Sequence, residues 1–242
     1  MRGDQHAYFS LLSGVIVFSP MILAPDAGVI ALLFAGIFIG SLAPDADAAD
    51  SAIMHGLSGG RGAGRMIRRP TVLFLPLFGY TIRYLIYYPV SAVTWVLTLG
   101  RVKPRHRGLL HSFFGVIITT LLVISYLWAL FSFGFGMNLI NHILILAFGF
   151  FCGCVMHLVE DSCTHSGVFW LYPFSKRKVS GTVVPKSKRN HMFGLILCAG
   201  VILSLSWDTI IYAGYQISKA APFLIFLVSW TLILSLSGAH TD

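Results

Sequence analysis

Charge is scarce in this sequence. Only 11% of its 242 residues are Asp, Glu, Lys or Arg, against roughly 25% in an ordinary soluble domain. Once the long apolar runs are set aside, no stretch the size of a soluble domain remains. Cysteine is also sparse. Cys152, Cys154, Cys163 and Cys198 form no paired CxxC array, and three of them lie within apolar runs. A disulfide framework and a zinc ribbon are both excluded. The glycine-rich piece Gly56–Gly64 lacks the Lys-Ser/Thr ending of a phosphate-binding loop. The first apolar run follows a single basic residue and shows no small-residue cleavage site, so it reads as a retained helix rather than a cleaved signal. There is no internal repeat and no low-complexity tail.

What is present is apolar: 56% of the chain, with a mean hydropathy of +0.80. Runs near the 20 residues needed to cross a bilayer occur at Ala7–Leu23, Ala27–Leu42, Leu109–Phe131, Asn141–Leu158, Met192–Ala213 and Ala221–Leu236. The stretch Thr71–Leu99 is too long for one simple span, and Pro76, Gly79, Arg83 and Pro89 interrupt it. It is expected to form a hairpin of two short helices or a re-entrant pair. The fold class is therefore all-α: one polytopic helical membrane domain over 1–242, with about six full spans plus a short helical hairpin.

The net charge is +8, with 17 Lys+Arg against 9 Asp+Glu. In a soluble chain that excess suggests nucleic acid. Here the basic residues sit in short loops, which points to cytoplasmic loops and anionic headgroups, and no nucleic-acid partner is expected. Fifteen of the 17 fall at the N-terminus or in three connections, Ala43–Pro70, Gly100–Gly108 and Glu160–His191. The positive-inside rule places all of these in the cytoplasm, with both termini, provided that Thr71–Leu99 leaves on the side it entered.

His and Asp were not used to set that topology, yet the ligand-type residues gather at its cytoplasmic face. His6 opens the first span. Pro44-Asp45-Ala46-Asp47 follows the second, and its two carboxylates would point the same way in extended backbone. An EF-hand does not fit, because Asp50 stands where the loop requires Gly. His106 and His111 lie five apart, about 140° on one helix; they converge only if His106 is in the loop and the helix starts near Gly108. His157 and Asp161, four apart, share a helix face. Taken singly, each motif has a plain structural reading: a helix-end His–Asp hydrogen bond, a solvated capping loop, or a basic segment touching headgroups. Together they supply mixed His/Asp ligation that suits a divalent metal, zinc first, manganese or iron next. His165, His191 and Cys163 are expected to be bystanders.

Pro44, Asp45 and Asp47; then His106, Arg107, Gly108, His111 and Ser112; then His157, Asp161, Thr164 and Gly167, in that order, resemble the YdjM-like family of membrane-bound metal-dependent hydrolases. Leu171-Tyr172-Pro173 and the early His6 are also similar to the family pattern. The likeness is carried by the first three quarters of the chain, and the basic loop Lys176–Arg189 has no counterpart in it. The His-x-x-x-Asp pattern is also similar to zinc-dependent phospholipase C and single-strand nucleases. The resemblance implies a bacterial inner-membrane hydrolase. Combined with the residue reading, His6, Asp45, Asp47, His106, His111, His157 and Asp161 are expected to hold metal. Asp45, Asp47, Arg107 and Asp161 are expected at the catalytic centre, one carboxylate as general base and Arg107 steadying a phosphate. The expected partners are membrane lipids and a lipid-like phosphoester. The alternative is a non-enzymatic metal-binding transporter or scaffold.

Overall fold

The computed structural model describes residues 1–22, 26–48, 50–56, 74–100, 107–213, 218 and 220–241. His106, Arg61, Arg65, Arg68, Arg69, Arg101, Lys103, Arg105 and Lys219 lie outside the described residues. The elements run α1 (Gly3–Ile22), α2 (Ala27–Gly40), a 3₁₀ turn (Ala43–Asp47), α3 (Ala52–His55), α4 (Tyr88–Leu97), α5 (Phe113–Ala129), α6 (Ile140–Ser162), β1 (Val179–Ser180), α7 (Lys188–Tyr212), α8 (Ala221–Ser237) and β2 (His240–Thr241).

Among the described residues, four helices are long and apolar enough to cross a membrane: Gly3–Ile22, Phe113–Gly134, Ile140–Ser162 and Lys188–Ile211. α2 and α8 are apolar but shorter, at 14 and 17 residues, or about 21 and 26 Å. Both shortfalls have a local cause. After Gly40 the chain leaves α2 for the 3₁₀ turn that carries Asp45 and Asp47. α8 has Pro222 in its first turn and stops at Gly238, which adopts a left-handed φ of +66°. Large apolar side chains such as Leu121, Phe148, Leu195, Leu203 and Val228 are exposed on these helices, as expected of surfaces that face lipid.

Thr71–Leu99 differs from the expected hairpin. Residues 74–97 form one continuous helical stretch, with a wide π-type turn at Ile82–Tyr87 leading into α4. The wide turn explains why Pro89 is not a breaker. The amide of Tyr88 bonds back five residues to Arg83, and such a turn absorbs a missing N–H. Gly79 packs on the backbone of Ile53 in α3, and Ile82, Ile86 and Tyr87 join the core built on Leu42, Ala46, Ile53 and Leu158.

The tightest contact in the bundle is between α2 and α6. Gly36 and Gly40 on one helix face Gly149 and Gly153 on the other. A Cβ on Gly36 would overlap the Leu146 carbonyl, on Gly40 the Phe150 carbonyl, on Gly149 the Leu33 carbonyl and on Gly153 the Ile37 carbonyl. These paired small-xxx-small motifs let two backbones touch, which is how membrane helices associate where apolar burial drives nothing. On the other flank, α1, α7 and α8 are joined by hydroxyl bonds: Ser19 to Ser204 at 2.7 Å, Ser204 to the Ile16 carbonyl at 2.9 Å, and Trp230 Nε1 to Ser13 at 2.9 Å.

The basic loop between α6 and α7 is knitted to the bundle end. β1 pairs antiparallel with β2. Val168 and Val179 exchange two backbone bonds, Gly181 donates to Thr164 and Val183 to Cys163. Gly153→Leu should destabilise the protein by about 3 kcal/mol or more, the upper end of overpacking costs. Gly28→Ala, at an exposed position where only Asp26 lies nearby, should change stability by less than about 0.5 kcal/mol. Thermal unfolding of the two detergent-purified variants checks this, and equal losses would refute the backbone contact.

Candidate metal centre

Four pieces of chain meet at one end of the bundle. α1 brings His6, the 3₁₀ turn brings Asp45 and Asp47, the segment before α5 brings Arg107 and His111, and the last turns of α6 bring His157, Glu160 and Asp161. His6, His111, His157, Glu160 and Asp161 are all 1% exposed or less.

His157 shows what the site is built for. Its Nδ1 lies 2.7 Å from the Ser41 carbonyl. A carbonyl only accepts, so Nδ1 carries the proton and a neutral ring leaves a bare lone pair at Nε2. That Nε2 is buried without a hydrogen-bond partner and faces Asp45 Oδ1 and Asp161 Oδ2, each at 3.7 Å. A lone pair aimed at two carboxylate oxygens is repulsive unless a cation sits among them. The other two histidines repeat the arrangement. His6 turns Nδ1 to Glu160 at 2.6 Å and Nε2 towards Asp161 Oδ1 at 3.5 Å. His111 turns Nδ1 to Asp47 Oδ2 at 3.5 Å and Nε2 to Asp45 Oδ1 at 3.3 Å and Asp161 Oδ2 at 3.8 Å. The rings of His6 and His157 stack at 4.0 Å, and His111 meets His157 edge-on at 5.2 Å.

The donor atoms pass a geometric test for a metal. His6, Asp45 and His157 form one group, and His111, His157 and Asp161 another, in each of which the ligand atoms lie within 4.8 Å of one another. Ligands bonded at about 2.1 Å in a tetrahedron lie about 3.4 Å apart. The 3.3–3.8 Å separations here are those of neighbours around one small cation. Three imidazole nitrogens with carboxylate oxygens suit zinc, manganese or iron by donor chemistry.

The expected residues fare differently in detail. His6, Asp45, His111, His157 and Asp161 converge. Asp47 is at the same place but on the Nδ1 side of His111, and its Oδ2 accepts the Arg107 amide at 3.0 Å. The two carboxylates meet by gripping opposite nitrogens of one imidazole from a 3₁₀ turn, not by alternation along extended backbone. The helix begins later than Gly108: Ser112 caps α5 by accepting the Gly115 amide, and His111 precedes it in a turn. His191 is exposed in the first turn of α7, His165 is exposed, and the Cys163 thiol donates to the Val159 carbonyl; none belongs to either ligand group. Glu160 was missed: its signal, a lone acid beside Asp161 at the end of an apolar run, was present.

Arg107 is at the edge, its side chain 21% exposed, with Asp45 at 20% the only other accessible group of the cluster among the described residues. Its guanidinium reaches Asp161 Oδ2 at 3.1 Å and the Gly167 carbonyl at 3.2 Å. Its φ of +58° is left-handed, costly for a side chain with a Cβ, and the Asp47, Asp161 and Gly167 contacts hold it there.

Burial disfavours charge on His111, but hydrogen bonds and charge from Asp45 and Asp47 outweigh it, and its pKa is raised to about 10. Burial likewise opposes charge on Asp45, yet the hydrogen bond and charge of the protonated His111 ring hold its carboxyl below the usual range. The raised His111 value means that its stabilisation of the metal-free protein is complete below its ordinary 6.5 and is lost as pH rises towards about 10. A cation must displace the same proton, so metal affinity should rise over that window. With chelator present, the melting temperature should fall from pH 6.5 to 9, and His111→Gln should flatten that slope. A wild-type protein whose chelated stability is constant over this range would contradict the pairing.

No curated protein and no solved structure matches the chain. A family model described as YdjM inner membrane protein matches residues 1–240, past the three quarters over which the motifs run and through the basic loop and the last two helices, and the chain belongs to that family.

Proposed function

We propose that this protein is a membrane-bound metal-dependent hydrolase that cleaves a phosphoester in a lipid or lipid-linked substrate at the cytoplasmic leaflet. The observation that carries the proposal is the convergence of three imidazole Nε2 atoms and two carboxylates in a buried cluster at one end of an apolar bundle, with a guanidinium at its open edge. His6, His111, His157, Asp45 and Asp161 hold a divalent cation, zinc in first place. Such a cation, when bound, polarises a phosphoryl oxygen and lowers the pKa of a water molecule. Asp45, the accessible carboxylate, takes the proton as general base. Asp47 keeps the His111 ring turned and fixes the Arg107 backbone. Arg107 leaves Asp161 to the cation and grips the substrate phosphate with its fork of donors.

The membrane setting follows the charge distribution. In this reading α1, α2, α5, α6, α7 and α8 are six crossings and the helical stretch 74–97 does not cross, because Asp47 before it and Arg107 after it meet at one site; the site and both termini then lie on the cytoplasmic side of the inner membrane. A cluster at headgroup level among basic loops favours a lipid phosphoester. A transporter would carry its ligands near the bilayer midplane, on a path through the bundle; here they lie at helix ends.

Detergent-purified protein should contain one divalent ion per chain by elemental analysis and release phosphate from a panel of phosphatidic acid and isoprenoid phosphates. His157→Ala and Asp161→Ala should lose both metal and turnover. Arg107→Ala should keep the metal and raise KM about tenfold or more, the scale of a lost charge-assisted contact of 1.5–3 kcal/mol. Metal-free wild-type protein, or full turnover in His157→Ala, would overturn the reading.

A further inference from the structure

Glu160 is the only glutamate in the 242 residues, and it is wholly buried. Neither of the ligand groups includes it. Its Oε2 lies 2.6 Å from His6 Nδ1, and its Oε1 accepts from the Ser10 hydroxyl at 2.8 Å. His6 and Ser10 are four apart on α1 and so present one face to α6. Both oxygens are thereby engaged on the side away from the cluster, so Glu160 reaches the centre only through the His6 ring.

A buried carboxylate in an apolar bundle is an expensive group. Desolvation costs several kcal/mol, and an apolar residue of similar volume is often no less stable. A group that contributes little net stability and touches a ligand-type imidazole points to a role in setting that ligand. A cation on His6 Nε2, which faces Asp161 Oδ1 3.5 Å away, would leave the ring proton on Nδ1, and the Glu160 carboxylate at 2.6 Å is placed to accept it. The three imidazoles have three different holders: a neutral carbonyl for His157, Asp47 for His111 and Glu160 for His6. The Glu160 contact, at 2.6 Å, is the shortest of them.

We infer that Glu160 is a positioning residue of the metal centre: together with Ser10 it fixes the tautomer and orientation of His6 and raises the basicity of its Nε2 towards a bound divalent cation. The inference rests on the metal-dependent reading above and adds to it the residue that tunes its first ligand. Partners of this kind are worth 10–100-fold in metal affinity.

Glu160→Gln separates tuning from packing. The amide oxygen still accepts the His6 proton and the amide nitrogen donates to Ser10, whose hydroxyl can turn to accept. Chelator competition on the detergent-purified full chain should show zinc binding weakened 10–100-fold, while the melting temperature of the chelated protein stays near wild type. The visible spectrum of the cobalt-substituted protein should shift, because the ligand field at His6 changes. Ser10→Ala should weaken zinc in the same direction by less. Should Glu160→Gln fail to accumulate as folded protein, Glu160→Asp keeps the charge but draws it back from His6, and the same loss of affinity is expected. Wild-type zinc affinity and cobalt spectrum in either variant would overturn the inference, as would an equal loss of stability with and without zinc. If wild type itself binds no metal, the metal-dependent reading fails first, and that outcome is distinct from a wild type that binds and a variant that binds equally well.

Discussion

The site depends on a backbone-to-backbone contact deep in the bundle. Gly36 and Gly40 of α2 lie against Gly149 and Gly153 of α6 with no side chain between them. That approach ends at Ser41, whose carbonyl reaches His157 Nδ1, and every later step follows from it. The carbonyl sets the His157 tautomer. The chain leaving Ser41 turns at once through Pro44 and lays Asp45 and Asp47 across the end of α6. A wider spacing would lift the 3₁₀ turn away and leave His6 and His157 without the carboxylate that completes their group. Packing in the apolar layer and chemistry at the polar end are thus one structural problem, solved by four residues that have no side chain.

The second constraint is electrostatic. Asp45, Asp47, Glu160 and Asp161 are packed together with three imidazoles and one guanidinium, mostly out of contact with water. Carboxylates so close repel one another unless positive charge lies between them. In the metal-free protein that charge comes from a proton on His111, from Arg107 and from the buried Met1 ammonium, 3.4 Å from Asp161 Oδ1. None is a full substitute, for His157 Nε2 still lacks a hydrogen-bond partner. A divalent cation supplies more positive charge at the same spot and uses the lone pairs that a proton on one ring leaves idle. The cluster is better matched to a cation than to its own protons.

Much of this was legible in sequence, for a reason of scale. His157 and Asp161 lie on one helix, where spacing alone fixes direction, and the expected pairing is found. The gathering of ligand types at one end followed from counting charges across spans. Four features were not legible. Pro89 looked like a breaker because a proline is read against α-helical bonding, and the π-type turn that accommodates it leaves no simple signature. Asp45 and Asp47 converge through His111, a contact across more than 60 residues that no local pattern encodes. The small-xxx-small pairs at 36–40 and 149–153 could have been read, since each is a recognised membrane-helix motif, but that they face one another is a tertiary fact. The basic loop 176–189 looked like an unassigned insertion; its backbone bonds to Cys163, Thr164 and Val168 make it the clamp behind Gly167.

That clamp bears on Arg107. The Gly167 carbonyl holds one arm of the guanidinium, Asp161 the other, and the Asp47 carboxylate the backbone amide. The residue is thereby kept in a left-handed conformation that costs about 1–2 kcal/mol. Strain of this size persists only where the surroundings over-determine it, and here they do so at the one cationic side chain, among the described residues, that is both part of the cluster and open to solvent. A more relaxed backbone would let the guanidinium swing out with the basic loops. Held inward, it stands at the accessible edge of the cluster, where, on the proposed function, a substrate phosphate would meet it before the buried imidazoles.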